Sequence, residues 1–325
     1  MRAVVLEETG GPEVVRIKNA PVPNPGPDDI RVRIGAFGVN RADLLQRRGL
    51  YPAPPGSPAD IPGLEYAGAV EAVGANVEGL SVDDRVMGIV GGGSYAEFLI
   101  APADHAITIP NVYSIVEAAA IPEVFITAHD ALERIAVTDD EWVLVHAVGS
   151  GVGTAALQLI KARHARCIGT SRTASKLERA KELGLDEAID STADELVPTV
   201  RRITGDGANA AVDLVGGVMF PATLEALALR GRLVLVGITA GPKAEVNLAV
   251  LLRRRLRIEG TVLRSRSTEE KSHITASFRE QVLPLLADKR VEPVIDRIFP
   301  FSEVAAAHSH MESNSGFGKI VVEID

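Results

Sequence analysis

Between Glu141 and Gly260 short apolar runs alternate with longer segments of helical periodicity, and this alternation limits the fold more than any other feature of the chain. Val143–His146, Cys167–Thr170, Ala211–Leu214, Leu233–Val236 and Leu256–Ile258 read as strands; Val152–His164, Lys176–Leu183, Leu196–Ile203 and Met219–Leu229 read as helices. Strands that alternate with helices imply a doubly wound parallel sheet covered by helices, because parallel neighbours need a crossover connection.

The first strand–helix junction lies in "WVLVHAVGSGVGTAALQLIKA", which places Gly149, Ser150, Gly151, Val152 and Gly153 between the two elements. Glycines let the backbone turn tightly and approach a pyrophosphate, and a helix N-terminus offers unpaired N–H groups and the positive end of its dipole. The register departs from G-x-G-x-x-G: with Gly153 as the last glycine, Val148 and Ser150 fall at the other two places. The pattern alone therefore fits a plain turn as well as a nucleotide cradle.

The next unit, "RCIGTSRTASKLERAKELG", favours the cradle. Its strand ends at Thr170, and Ser175 and Glu178 have the spacing of a capping box at the following helix. A dinucleotide fold reads the adenosine ribose at this strand end, with Asp or Glu where NAD is preferred. Here stand Ser171 and Arg172, with Lys176 one turn on. A hydroxyl and two cations suit the added phosphate of NADPH. Read without a ligand, the two cations are solvated helix-start residues, though helix N-termini favour acids.

The first third is rich in Gly, Pro and short Val/Ile runs, such as "IRVRIGAFGV", and reads as an antiparallel, partly barrel-shaped β domain. "NRADLLQRRG" interrupts it with a short helical pattern, and "VEAAAIPEVFITAHDAL" is helix-like with Pro122 as a break or kink. The tail, ending in "KIVVEID", resembles the first third in kind and is expected to return to it.

The 325 residues exceed what one core usually serves. A net charge of -9 argues against nucleic acid or an anionic membrane surface as partner. The single cysteine, Cys167, excludes an internal disulfide and a Cys-rich zinc site, and is expected to be inert core. No apolar run approaches the ~20 residues of a membrane span, and "MRAVVLEETGGPEVV" shows no secretory signal, so the expected location is cytoplasmic. His146 is expected to be structural, and His129, His308 and His310 have no carboxylate partner that the sequence reveals.

Over nearly its whole length the sequence resembles the zinc-independent quinone oxidoreductase (zeta-crystallin-like) branch of the medium-chain dehydrogenases/reductases. The matching stretches are "GGPEVV", "NRADLLQRRGLYP", "IPGLEYAGAV", "AAAIPEVFITA", "VLVHAVGSGVGTAALQL", "GRLVLVG", "LRSRS" and "GFGKIVVEI". The resemblance implies a GroES-like substrate domain, 1–123 with 265–325, and a Rossmann domain, 124–264. Zinc-dependent members use Cys, His and Cys as ligands; the corresponding positions here are Asn40, Leu64 and Glu123, which implies catalysis without a metal.

The same resemblance implies hydride transfer from NADPH to a quinone. The alternatives are a 2-alkenal or enoyl-thioester reductase, and a non-catalytic NADPH-binding redox sensor. It places the nicotinamide near Asn40, Glu123 and Thr127, with Gly237 and Ile238 along its edge. Arg41 and Lys319 match cations that approach the pyrophosphate, and Arg264 and Ser265 match a loop that closes over the cofactor. Tyr51, Leu64 and Phe125 match the substrate-pocket wall. Each has a plainer reading: Asn40 as a helix cap, Tyr51 as a packing aromatic, Lys319 as a solvated strand residue. Asn40, Tyr51 or water would meet the developing oxyanion, and the sequence points to no dedicated general acid. The strand near Leu256–Gly260 is expected to pair two copies into a homodimer.

Overall fold

A computed structural model describes residues 1–325. The chain forms two compact units, Met1–Ile126 with Leu263–Asp325, and Thr127–Val262. In chain order the first unit opens with β1 (Arg2–Val5), β2 (Arg16–Asn19), β3 (Asp29–Val39), α1 (Arg41–Arg47), β4 (Glu65–Val73) and β5 (Arg85–Ile89). It continues with β6 (Phe98–Pro102), β7 (Ile107–Thr108), α2 (Ile115–Ala118) and the first turn of α3 (Pro122–Arg134).

The second unit holds β8 (Trp142–Val145), α4 (Gly151–Ala162), β9 (Arg166–Ser171), α5 (Ala174–Glu182), β10 (Glu187–Asp190) and α6 (Leu196–Thr204). After these come β11 (Ala208–Asp213), α7 (Phe220–Ala226), β12 (Leu227–Leu235), α8 (Leu248–Arg254) and β13 (Arg257–Gly260). The chain then rejoins the first unit through α9 (Thr268–Gln281), α10 (Leu283–Ala287), β14 (Ile295–Pro300), α11 (Val304–Glu312) and β15 (Lys319–Glu323).

The second unit is a six-stranded parallel sheet in the order β10-β9-β8-β11-β12-β13. The chain winds outward from β8 to β10, then returns and winds the other way from β11 to β13. The reversal lies between β8 and β11, and open α/β sheets bind ligands beyond the strand ends at such a point. Leu144, Ile168, Ile189, Val200, Ala211, Leu224 and Leu233 form its core. β10 has no apolar run to announce it, since Ile189 is its one fully buried residue.

The helix after β9 corrects one expectation. α5 begins at Ala174, with Thr173 as the residue before it and no side-chain cap. Thr173 N–H donates instead to Ser171 Oγ at 3.2 Å. Ser175 lies inside the first turn, so the Ser175–Glu178 box does not form. Pro122 marks the expected break: the helical stretch is split into α2 and α3, and Pro122 opens α3, where its missing N–H costs nothing. The preceding α2 carries a true capping box, Ser114 with Glu117.

In the first unit β14-β15-β3-β4-β5-β7 form one sheet, with β6 also on β3. All its pairs are antiparallel except β14 with β15. Two register shifts between β3 and β4 bend the sheet into its partly barrel-like form. The chain end returns to this sheet, with Ile320 opposite Val39 and Glu323 opposite Ala36. Phe37 stacks on Tyr95 at 4.3 Å in the core beneath.

Candidate functional site

At the end of β8 the backbone of Ala147 takes a φ of 49° and turns the chain into α4. Ser150 caps that helix, its Oγ accepting from Gly153 N–H at 3.1 Å. A Cβ at Gly153 would stand 2.7 Å from the carbonyl oxygen of Val148 and closer still to that of Ala147, so only glycine permits this turn. The N–H groups of Gly151 and Val152, at the positive end of α4, donate to no protein oxygen. One strand away, Ser171 Oγ accepts from Thr173 N–H and keeps its own hydrogen to donate. Arg172 is exposed and has no acidic partner. Unpaired N–H groups, a free hydroxyl hydrogen and an unpaired guanidinium along one sheet end make a donor set suited to a phosphorylated dinucleotide.

Below this edge His146 bridges two buried hydroxyls, Thr170 at Nδ1 (2.9 Å) and Thr223 at Nε2 (2.8 Å). Thr223 gives its own hydrogen to the Met219 carbonyl, so it accepts from His146 Nε2–H. Burial pushes the imidazole pKa down and keeps it neutral. His146 is a structural strut, as its position before the glycines suggested.

The first unit carries charge instead. Lys319 Nζ donates to Glu65 Oε1 (2.5 Å), Asn40 Oδ1 (2.7 Å) and the Val39 carbonyl (3.1 Å). Glu65 also accepts from Asn40 Nδ2 and from the backbone N–H of Glu123, both at 2.8 Å. A buried carboxylate is thus held by an ammonium, an amide and the N-terminus of α3. Gly38 makes room for the pair: a Cβ there would stand 2.9 Å from Lys319 Nζ and closer to Glu65 Oε1.

Asn40 precedes α1, yet its side chain is turned to this pair. Asp43 does the capping, accepting from Asn40 N–H at 2.8 Å and from Tyr95 OH at 2.9 Å. Burial pushes the Asp43 carboxyl up to about 6. Glu123, at the second position of α3, has a carboxyl with no hydrogen-bond partner. Burial first, and the charge of Glu65 second, push it up to about 8, so it is mostly protonated at neutral pH.

The comparisons with known proteins agree with this architecture. The alcohol dehydrogenase GroES-like domain matches residues 26–111, and the zinc-binding dehydrogenase family matches residues 151–280. The quinone oxidoreductase of Lama guanicoe is 32% identical over 332 residues, covering 99% of this chain and 97% of its own. This chain is a medium-chain dehydrogenase/reductase of the zeta-crystallin-like branch. Among solved structures, the Escherichia coli quinone oxidoreductase complexed with NADPH has a TM-score of 0.90 at 28% identity, covering 99% of this chain and 100% of that one. An NAD-dependent alcohol dehydrogenase has a TM-score of 0.89 at 33% identity, both chains being fully covered.

Within this medium-chain reductase the other expected residues fall into different settings. Lys319 is neither a solvated strand residue nor a cation open to a pyrophosphate: it is 3% exposed and all three of its N–H bonds are used. Arg264 is likewise engaged, by the Gly91 carbonyl (2.8 Å), the Tyr51 carbonyl (3.0 Å) and Gln46 Oε1 (2.5 Å). Its guanidinium lies 5.0 Å from the centre of the Tyr51 ring, which it holds in place. Ser265 beside it is exposed, and Arg41 bonds Asn314 at 2.7 Å.

Tyr51 is half-buried, and burial pushes its phenol up. Leu64 and Phe125 are fully buried, so neither presents the open face that a lining residue of a substrate pocket needs. Thr127 is buried on α3, and Gly237 and Ile238 follow β12 in the second unit, Ile238 being exposed. His310 does have a carboxylate partner, Asp296 at 2.7 Å, brought to it from β14. His308 meets Arg47 and Tyr95 instead, and His129 meets Arg163. Burial raises the Cys167 thiol and leaves it unreactive.

Sequence reasoning missed Glu65, the centre of the charged cluster. The available signal was an acid opening the apolar strand "EYAGAV".

Proposed function

We propose that the protein is an NADPH-dependent, metal-independent reductase of quinone-type acceptors. The observation that carries the cofactor choice is the end of β9. Ser171 stands where an NAD-preferring site has an acid, and exposed Arg172 follows it without a partner. The name of the Lama guanicoe relative and the NADPH in the Escherichia coli structure support the same reading. Metal independence is supported by Leu64, which has no donor atom, and by Asn40, whose amide is spent on Lys319 and Glu65. The cation at this place is an ammonium.

NADPH, when bound, would supply the hydride. The chain's part is to bind and orient. The first turn of α4 would receive the pyrophosphate through Gly151 and Val152 N–H, while Ser171, Arg172 and Lys176 would receive the 2′-phosphate. In the other unit, Arg264 fixes the Tyr51 ring as a flat surface for a flat acceptor. We also assign a homodimer: β13 ends the six-stranded sheet with an unpaired edge, and Leu248, Leu252, Ile258 and Val262 are exposed around it.

An acceptor screen with NADPH, quinones beside 2-alkenals and enoyl thioesters, tests the assignment. Turnover of simple quinones is expected. Turnover confined to alkenals or thioesters would replace the substrate class, and NADPH binding without turnover of any acceptor would replace the enzyme reading by that of a sensor.

A further inference from the structure

We propose that the Glu123 carboxyl is the proton donor that completes reduction, giving its hydrogen to the oxygen of the acceptor as the hydride arrives. This rests on the reductase reading above and names the acid that the sequence did not.

The geometry sets Glu123 apart from the other two acids of the buried cluster, Glu65 and Asp43. Glu65 is closed off, with both oxygens bonded to the chain. Asp43 is fully buried and bonded to Asn40 and Tyr95. Glu123 alone of the three keeps some exposure and spends no carboxyl oxygen on the protein. Its main chain is pinned at the start of α3 by the 2.8 Å bond from its N–H to Glu65, so the side chain projects from a fixed point.

The charged groups around it decide its protonation. Glu65 from β4 and Asp43 from α1 are like charges that favour the neutral form; Lys319 from β15 and Arg264 after β13 favour the ion. Lys271 from α9 and the Tyr51 phenol also lie within reach of its charge. Burial and Glu65 outweigh the cations and leave the carboxyl mostly protonated at neutral pH, with a value of about 8. A phenolic oxyanion has a pKa of about 10, so proton transfer from such a carboxyl runs downhill. Tyr51, whose own phenol is raised above the usual value, is the weaker acid of the two and serves better as a surface.

The balance closes. The hydride brings two electrons and one hydrogen to the acceptor. The Glu123 O–H bond breaks and an O–H bond forms on the acceptor oxygen, giving the hydroquinone. The carboxylate then recovers a proton from water through its exposed side.

The test uses the full-length protein, with wild type and Glu123→Gln. In wild type without NADPH, the carbon-13 carboxyl signal that Glu123→Gln removes is expected to titrate near pH 8. Wild-type kcat is expected to fall as pH rises through the same range, since the donor must be protonated. Glu123→Gln should lose that limb, lower kcat about a hundredfold, and leave the Kd for NADPH within about threefold. Glu123→Asp should recover part of the rate and all of the limb. A signal titrating in the ordinary carboxylate range, or a limb that persists in Glu123→Gln, would overturn the proposal while leaving the reductase reading intact. A wild type that binds NADPH and reduces no acceptor would overturn both.

Discussion

Each unit buries a polar cluster, and the two clusters differ in charge. In the second unit His146, Thr170 and Thr223 form a neutral chain whose protons are all assigned by their partners. In the first, an ion pair of Lys319 with Glu65 lies among two further acids, Asp43 and Glu123. The neutral network fixes the end of a sheet, and because burial lowers the His146 pKa, its contribution to stability is present above the ordinary histidine range and lost as pH falls below it. A charged one is harder to dismantle and holds a proton on a carboxyl at neutral pH. On the proposals above, the difference would separate a scaffold for binding from a place for proton chemistry.

The sharpest way to break this contrast is to remove one charge. Lys319→Met leaves Glu65 buried and uncompensated, and should cost about 3–5 kcal/mol of stability. Thr223→Val, which removes one hydroxyl from the neutral chain, should cost about 1–3 kcal/mol. Urea denaturation measures both, and adding Glu65→Gln to Lys319→Met should restore part of the loss. Equal costs, or no restoration, would mean that the ion pair is not the centre of the first unit.

Gly153→Ala probes the binding side. Its Cβ meets two carbonyl oxygens of the turn, so overpacking should cost about 1–3 kcal/mol and weaken NADPH binding. Calorimetric titration of the folded variant checks this, and an unchanged Kd would detach the loop from the cofactor.

A smaller effect sharpens the contrast through pH. Glu123 is raised from 4.5 to about 8, so the folded state keeps a proton that the unfolded chain has released. Its contribution to stability is fully present below about 4.5 and lost as pH rises through about 8. Glu123→Gln should therefore flatten the decline of urea stability across that window. A parallel decline in wild type and variant would contradict it.

How much of this the sequence showed follows from the same division. Most of the second unit's sheet was legible because its strands and helices are mostly continuous runs, and the glycine turn because its residues are adjacent; the helix expected over Met219–Leu229 ends at Ala226, where β12 takes over, and the short α8 was not foreseen. β10 escaped because one buried side chain makes no pattern. The charged cluster escaped because its partners are far apart: Lys319 lies 254 residues from Glu65 and 279 from Asn40. Asn40 reads locally as a cap, and only the return of β15 to β3 shows that its side chain is needed elsewhere. Lys319 reads as a cation for a pyrophosphate or as a solvated strand residue, because its partners, Glu65 and Asn40, are distant in the chain. Glu123 reads as one acid at a helix start, and its raised pKa depends on Glu65, which reaches it from another strand.

The central claim, that this is an NADPH-dependent reductase, is tested most directly by the specificity constants for NADPH and NADH with one quinone acceptor. Two well-formed charge-assisted bonds from Arg172 and Lys176, each contributing roughly 1.5–3 kcal/mol before solvent weakens them, predict at least a tenfold preference for NADPH. Ser171→Asp with Arg172→Ala should move that ratio toward NADH and spare kcat. Equal use of the two cofactors by the wild type, or a ratio unmoved in the variant, would contradict the account.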